Sequence, residues 1–222
     1  MHEKIVVGAL ETNCWLVPLD DTPREDGLPA AVIDPGADAE QIIVCLERRK
    51  LYPKYILLTH GHFDHIAGLP GLYKHYQKNP PLIAVGKDDL IYIGANSLDA
   101  HRKSFSAVNA AYYVDQLWET LPEAGRALND GDTIGNFTVL HLPGHTKGSI
   151  AFWDSKNGNI FSGDTLFKNG VGRTDLPGGD ERAMRNSLSR ILSMDGNIKV
   201  YPGHGPETTI SEGRRRLSSV AL

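Results

Sequence analysis

Thr59-His60-Gly61-His62-Phe63-Asp64-His65 places four candidate metal ligands within six residues. In an extended chain, side chains two apart point the same way. His60, His62 and Asp64 can therefore converge if the backbone stays extended past Leu58, and His65 must then point elsewhere unless the chain turns. That spacing suggests two adjacent metals rather than one. The competing reading is a polar loop with incidental histidines. The chain has 9 histidines in 222 residues, so three of them with an aspartate in so short a stretch is a poor fit to chance.

Further candidates lie downstream in similar settings. His145 follows an apolar run in Leu142-Pro143-Gly144-His145-Thr146, Asp164 in Phe161-Ser162-Gly163-Asp164-Thr165, and His204 in Tyr201-Pro202-Gly203-His204-Gly205. Each stands behind a glycine, which lets the backbone turn sharply. Each also lies at the end of a strand-like run, where rigid scaffolds carry their sites. Any one of them alone could be structural, but with the first cluster they make a set of seven. His2, His75, His101 and His141 fit none of these positions.

The set resembles the signature of the metallo-β-lactamase superfamily, His-x-His-x-Asp-His followed by a separated His, Asp and His. Within that superfamily the chain looks most like the glyoxalase II branch, on Thr59 to His65, Pro143 to Thr146, Gly163-Asp164-Thr165-Leu166-Phe167, Gly170-Val171-Gly172-Arg173 and Gly203-His204-Gly205. The resemblance runs from about Thr12 to Thr209. It implies an α/β (α+β) fold, a four-layer αββα sandwich with metals at one edge of its two sheets. It also implies that His60, His62 and His145 hold a first metal, that Asp64, His65 and His204 hold a second, and that Asp164 bridges them, with Asp64 both ligand and catalytic carboxylate. Two divalent ions are expected, zinc first, with iron or manganese as alternatives.

A charge count agrees with a shared site. Two dications about 3.5 Å apart repel by roughly 19 kcal/mol at an effective dielectric of about 20. Asp64, Asp164 and one hydroxide offset most of that charge, and the same field acidifies the bridging water into a nucleophile. The implied reaction is hydrolysis of a small-molecule thioester such as S-lactoylglutathione. Arg173 stands where relatives carry a basic residue for a glutathione carboxylate, and a guanidinium suits that role; an ion pair with Asp175 or Asp180 is the plainer alternative. Asp34, in Ile33-Asp34-Pro35-Gly36, is either a support for a ligand histidine or a turn former. Lys147 is expected to add positive charge at the site entrance.

The resemblance is incomplete. Only 18 residues follow His204, so the C-terminal helical domain that helps bind glutathione in full-length glyoxalase II is expected to be missing, as in the short single-domain bacterial type. The alternative activity is a persulfide dioxygenase of the same fold, whose single iron would map to His60, His145 and Asp164. β-Lactamase activity is less favoured because Asp164 replaces a Cys common in those enzymes. A metal-stabilised binding scaffold is the non-enzymatic reading.

The remaining sequence bounds the class. Hydrophobic residues make up 41% and charged residues 23%, as in globular proteins. The balance is 27 acidic against 23 basic residues, which argues against a nucleic-acid partner. The one basic run, Arg214-Arg215-Arg216, reads as a solvated helix face. No apolar stretch reaches the roughly 20 residues that span a bilayer, and Glu11, Thr12 and Asn13 interrupt any signal-like start, so no membrane partner and a cytoplasmic location are expected, with a monomer or homodimer. Cys14 and Cys45 both read as core thiols.

Strands are expected at Cys14–Val17, Ala31–Ile33, Tyr55–Leu58, Leu82–Val85, Phe137–Leu142, Ser149–Trp153, Asn159–Ser162 and Lys199–Tyr201. A long hairpin loop is expected over 20–29, and helices over 38–50, 66–76 and 180–192. All of this is expected within one domain, 1–222. Residues 87–126 read as a helical insertion that either covers the site or is a surface excursion.

Overall fold

The computed structural model describes residues 2–19, 22, 23, 25 and 27–219. A first six-stranded sheet contains β1 (Glu3–Val7), β2 (Thr12–Pro18), β3 (Leu28–Ile33), β4 (Leu51–Leu58), β5 (Leu82–Gly86) and β6 (Arg126–Leu128), in that order across the sheet. The first three strands are antiparallel neighbours, whereas β3 to β6 run parallel. Parallel neighbours need crossovers. Helix α1 (Ala39–Arg48) joins β3 to β4, and α2 (Phe63–Ile66) with α3 (Leu69–His75) joins β4 to β5. A 3-10 turn at Lys87–Tyr92, α4 (Leu98–Ser106) and α5 (Ala111–Leu117) lead from β5 to β6.

The second sheet draws on β7 (Thr133–Ile134), β8 (Phe137–His141), β9 (Ile150–Asp154) and β10 (Asn159–Gly163). A small hairpin of β11 (Leu166–Phe167) and β12 (Gly170–Val171) and the helix α6 (Glu181–Leu192) precede β13 (Lys199–Pro202), β14 (Thr208–Thr209) and α7 (Ile210–Ser219). The spatial order is β14-β13-β10-β9-β8-β7, with β10 and β13 parallel.

Alternation along the strands divides the apolar side chains into three layers. Trp15, Val17, Ile33 and Leu57 of the first sheet meet Phe137, Val139, Phe152, Phe161 and Tyr201 of the second. The opposite face of the first sheet, with Leu16, Val32, Ile56 and Leu58, packs on Ile42 and Leu46 of α1 and Leu69 and Leu72 of α3. The outer face of the second sheet, with Leu140, Ala151, Ile160 and Val200, packs on Met184, Leu188 and Ile191 of α6. The result is the expected four-layer αββα sandwich. Central strands buried on both faces read as unbroken apolar runs, which is why β2, β3 and β4 were recognisable.

Several local expectations need correction. The helix expected over 66–76 is α3 alone, Leu69–His75, and the single turn of α2 before it, Phe63–Ile66, lies within the ligand motif. Residues 20, 21, 24 and 26 of the expected hairpin loop lie outside the described residues, although the strands flanking it are antiparallel as anticipated. Cys14 is fully buried, whereas Cys45 is half-buried and only packs against the core. Arg214 to Arg216 are exposed on α7, but Arg214 also donates to the main-chain carbonyls of Leu192 and Met194 and so ties α7 to the end of α6. Among the described residues, no helix is long and apolar enough to cross a membrane.

Candidate metal centre

All seven candidate ligands meet at one edge of the sandwich. Beyond β4 the chain bends at Thr59 and His60, is extended at His62 (φ −67°, ψ 145°) and turns into α2 at Phe63. This bent segment delivers His60 and His62 to one position. The helical turn carries Asp64 and His65 to another, so Asp64 does not join His60 and His62 as straight extension would require. Loops after β8, β10 and β13 supply His145, Asp164 and His204.

The donor atoms of His60, His62 and His145 lie within 4.8 Å of one another. The same holds for Asp64, His65 and His204, and for His60, His65 and Asp164. Asp164 stands between the two triads: its Oδ2 is 3.5 Å from His145 Nε2 and 3.7 Å from His204 Nε2, and its Oδ1 is 3.5 Å from His65 Nε2.

Hydrogen bonds fix which nitrogen each ring turns inward. His145 Nδ1 donates to the Arg173 carbonyl oxygen at 2.7 Å, which turns Nε2 inward. His65 Nδ1 donates to Asp34 Oδ2 at 3.0 Å, which turns its Nε2 inward as well. The Thr59 hydroxyl donates to the same Asp34 oxygen at 2.6 Å and accepts from His60 Nδ1 at 3.1 Å. Asp34 Oδ1 accepts the Thr59 backbone N–H at 2.8 Å. One buried carboxylate thus orients a histidine of each triad, and this is how carboxylates set the tautomer of metal-ligating imidazoles. Asp34 also makes the turn, with φ +53°, so the two readings of it from sequence hold together.

Divalent ions fit this donor set. The His60 Nε2 and Asp164 Oδ1 atoms are buried without a hydrogen-bond partner, and His62 Nδ1 faces His145 Nε2 at 2.8 Å. Imidazole nitrogens and carboxylate oxygens suit zinc, iron or manganese. Burial, reinforced by the neighbouring imidazoles, pushes His60 and His62 well below the ordinary histidine range and keeps them neutral. Burial acts the same way on His65, but Asp164, Asp64 and Asp34 outweigh it and hold that imidazole up at about 10. Burial would raise Asp64, yet His65 and His204 hold it well below the usual carboxylate range. Without ions, charged histidines thus balance the aspartates.

Two glycines show how tight the edge is. Gly163 adopts φ +49°, and a Cβ there would lie 2.3 Å from Thr59 Oγ1. Gly203 has no such backbone need. A Cβ on it would lie 2.2 Å from Asp164 Oδ1 and 2.6 Å from His65 Cε1, so space rather than turning requires glycine before His204.

The ligands open onto a cavity of about 290 Å³. Ser104, Phe105 and Val108 line it, together with Arg173 and Leu176, so the 87–126 segment, which is the crossover from β5 to β6, covers the site. Arg173 forms a bidentate pair with Asp175 at 2.7 and 2.8 Å, and both side chains are largely exposed. Lys147 lines a neighbouring cavity of about 200 Å³ with Lys103 and Tyr92 rather than the ligand cavity. His141 bonds the Lys147 carbonyl oxygen and stays outside the cluster.

Asp89 carries a role that sequence reading missed. It is 1% exposed and accepts from the backbone N–H groups of Gly61 and Gly148, each at 2.8 Å, and from the Thr146 hydroxyl at 2.7 Å. It thereby ties the His60–His62 loop to the His145 loop. Its only sequence signal is the Asp88-Asp89 pair just after β5.

Comparison with known proteins follows the same geometry. Residues 7–204 match the family model described as metallo-beta-lactamase superfamily. Hydroxyacylglutathione hydrolase GloC of Haemophilus influenzae is 35% identical over 215 residues, covering 96% of this chain and 94% of that protein. Among solved structures, TTHA1623 in a di-iron-bound form is 33% identical with a TM-score of 0.79, over 96% of this chain and 98% of that one. The BLEG-1 B3 metallo-beta-lactamase is 31% identical with a TM-score of 0.82, over the full length of both chains.

Proposed function

We propose that this chain, which belongs to the metallo-β-lactamase superfamily, is a binuclear thioester hydrolase acting on a small acyl-thiol of the S-lactoylglutathione kind. The observation that carries the reading is the pair of ligand triads with Asp164 set between them. Zinc is the expected metal, and the similarity to a di-iron-bound relative keeps iron in view. Two divalent ions held there supply Lewis acidity and a water acidified to near neutrality.

The protein's own groups do the rest. Asp34 and the Arg173 carbonyl fix the ligand rings, so that little reorganisation remains for the reaction. Phe105, Val108 and Leu176 present an apolar wall to the acyl-thiol and keep bulk water from the ligand side. Arg173 lines the same cavity, and its exposed partner Asp175 is easily exchanged, since solvent-exposed ion pairs contribute little. A substrate carboxylate can therefore take the place of Asp175 on the guanidinium.

Elemental analysis of protein expressed without added metal, alongside S-lactoylglutathione hydrolysis, tests the proposal. About two ions per chain with chelator-sensitive thioester turnover are expected, and Arg173→Ala should raise KM for the glutathione thioester several-fold. One iron per chain with persulfide-dependent oxygen uptake, or turnover of a β-lactam in preference to thioesters, overturns the substrate class. An unchanged kcat and KM in Arg173→Ala removes that residue from substrate binding.

A further inference from the structure

The cavity beside the ligand site carries charges that the proposed chemistry does not use. It holds about 200 Å³, with Lys103 of α4, Lys147 of the loop after β8, and Asp88 and Asp89 just after β5 on its wall. Asp89 already accepts the Gly61 and Gly148 N–H groups and the Thr146 hydroxyl, so its charge is answered within the fold. Lys103, Lys147 and Asp88 are exposed. Among the described residues, none of these three side chains makes a hydrogen bond or an ion pair. Three segments distant in sequence thus bring two lysines and one carboxylate to a single hollow without pairing them.

The hollow adjoins the metal ligands. Ser104 lines both cavities, while Leu176 faces the ligand side and Pro177 and Gly178 the other. The Tyr92 hydroxyl holds the ridge between them, 3.4 Å from the Ser104 hydroxyl and donating at 3.4 Å to the Pro177 carbonyl oxygen. Lys147 follows the ligand His145 by two residues, so their Cα atoms are at most about 7 Å apart. An extended tripeptide spans about 10 Å, enough to lie over Ser104 with its middle in one cavity and an end in the other. At about 30 Å³ for a water-sized group, the hollow takes about six or seven non-hydrogen atoms. An α-amino-acid end with one methylene has that many.

We propose that this hollow is a subsite for the zwitterionic α-amino-acid end of the thiol carrier. Lys103 and Lys147 take its carboxylate and Asp88 its ammonium, while Arg173 takes a carboxylate at the carrier's other end. A carrier of the glutathione kind has both ends, with the thiol between them. The subsite rests on the thioester reading above for the identity of that carrier.

Calorimetric binding to the zinc-loaded protein tests it without turnover, using thioethers that cannot be hydrolysed. S-methylglutathione carries both ends. N-acetyl-S-methylcysteinylglycine keeps the amide and the glycine carboxylate but lacks the amino-acid end, and the N-glutaryl analogue lacks only the ammonium. Wild-type protein should bind the N-acetyl compound about 10- to 100-fold more weakly than S-methylglutathione, since each partly exposed charge contact is worth up to about fivefold. In the double variant Lys103→Met, Lys147→Met that ratio should fall to about twofold, and in Asp88→Asn the gap between S-methylglutathione and the N-glutaryl compound should close. Equal wild-type affinity for S-methylglutathione and the N-acetyl compound, no measurable binding of S-methylglutathione, or a ratio that survives the double substitution overturns the subsite. Thioester turnover by the same preparation is scored separately: a protein that discriminates the thioethers but hydrolyses no thioester keeps the subsite and overturns the hydrolase reading.

Discussion

Removing the Asp34 carboxylate strands three donors at once: the Thr59 N–H, the Thr59 hydroxyl and His65 Nδ1. None can reach water, because Asp34, Thr59 and His65 are at most 1% exposed. His65 would then rotate freely about its ligating direction, and His60 would lose the anchored hydroxyl that accepts its Nδ1 proton. Asp34→Ala should weaken the second metal by about 10- to 100-fold and the first by less, and should lower metal-free stability by about 1–3 kcal/mol per stranded donor that stays dry. Chelator competition reads the affinities and denaturant unfolding the stability. Unaltered affinity at both sites would show that the ring orientations are fixed by something else. Lone aspartates resist reading from sequence for a reason visible here: a turn and a ligand support use the same residue, and only the folded chain shows that Asp34 serves both.

Elements were legible where burial imposed a period. Strand β4 is buried at both ends of its apolar run, and α6 buries Met184, Leu188 and Ile191 at helical spacing, so both stood out. Short edge strands such as β6, β7 and β14 have two or three residues, too few to show a period. Helix α2 escaped because it is a single turn of four residues inside the ligand motif, too short to show a period. The ligand motif was legible because four donors in six residues exceed chance, whereas Asp89 sits in the β5–β6 crossover, whose later part packs on Phe63 through His101, Phe105, Tyr113 and Trp118 rather than showing a pattern of its own. Helix α6 carries a testable prediction at this scale. Asp180 caps it by accepting the Ala183 N–H at 2.8 Å, and its own N–H donates to the Gly144 carbonyl at 2.9 Å, next to His145. Asp180→Ala removes the cap but keeps the backbone bond. Stability should fall by about 1 kcal/mol and Tm by roughly 2–4 °C, with metal affinity unchanged. Scanning calorimetry and chelator titration check both, and a large loss of metal would mean the cap, not the backbone bond, positions the His145 loop.

Across the whole molecule the ligands divide between the two halves of the sandwich. His60, His62, Asp64 and His65 follow the first sheet's β4, and His145, Asp164 and His204 follow strands of the second. Backbone bonds already cross at this edge, from Ile150 N–H to the Thr59 carbonyl at 2.8 Å and from Asn13 N–H to the Gly203 carbonyl at 2.7 Å. Ions bound by both sets would add crosslinks to these bonds and to the apolar contact between the sheets. Anything that binds only the folded chain stabilises it by RT ln(1 + [L]/Kd), about 2.7 kcal/mol at a hundredfold excess over Kd. For a chain of this size that is a rise in Tm of roughly 5–10 °C. Chelation of the loaded protein should therefore lower Tm by that amount, and readdition of zinc should restore it. Asp164→Ala should abolish most of the ion-dependent shift, because it removes the one carboxylate that serves both triads, whereas loss of Arg173 should leave the shift intact. A Tm indifferent to chelator, measured with metal content followed in parallel, would mean that the ions do not link the two halves, and the crosslinking role would have to be abandoned even if catalysis survived.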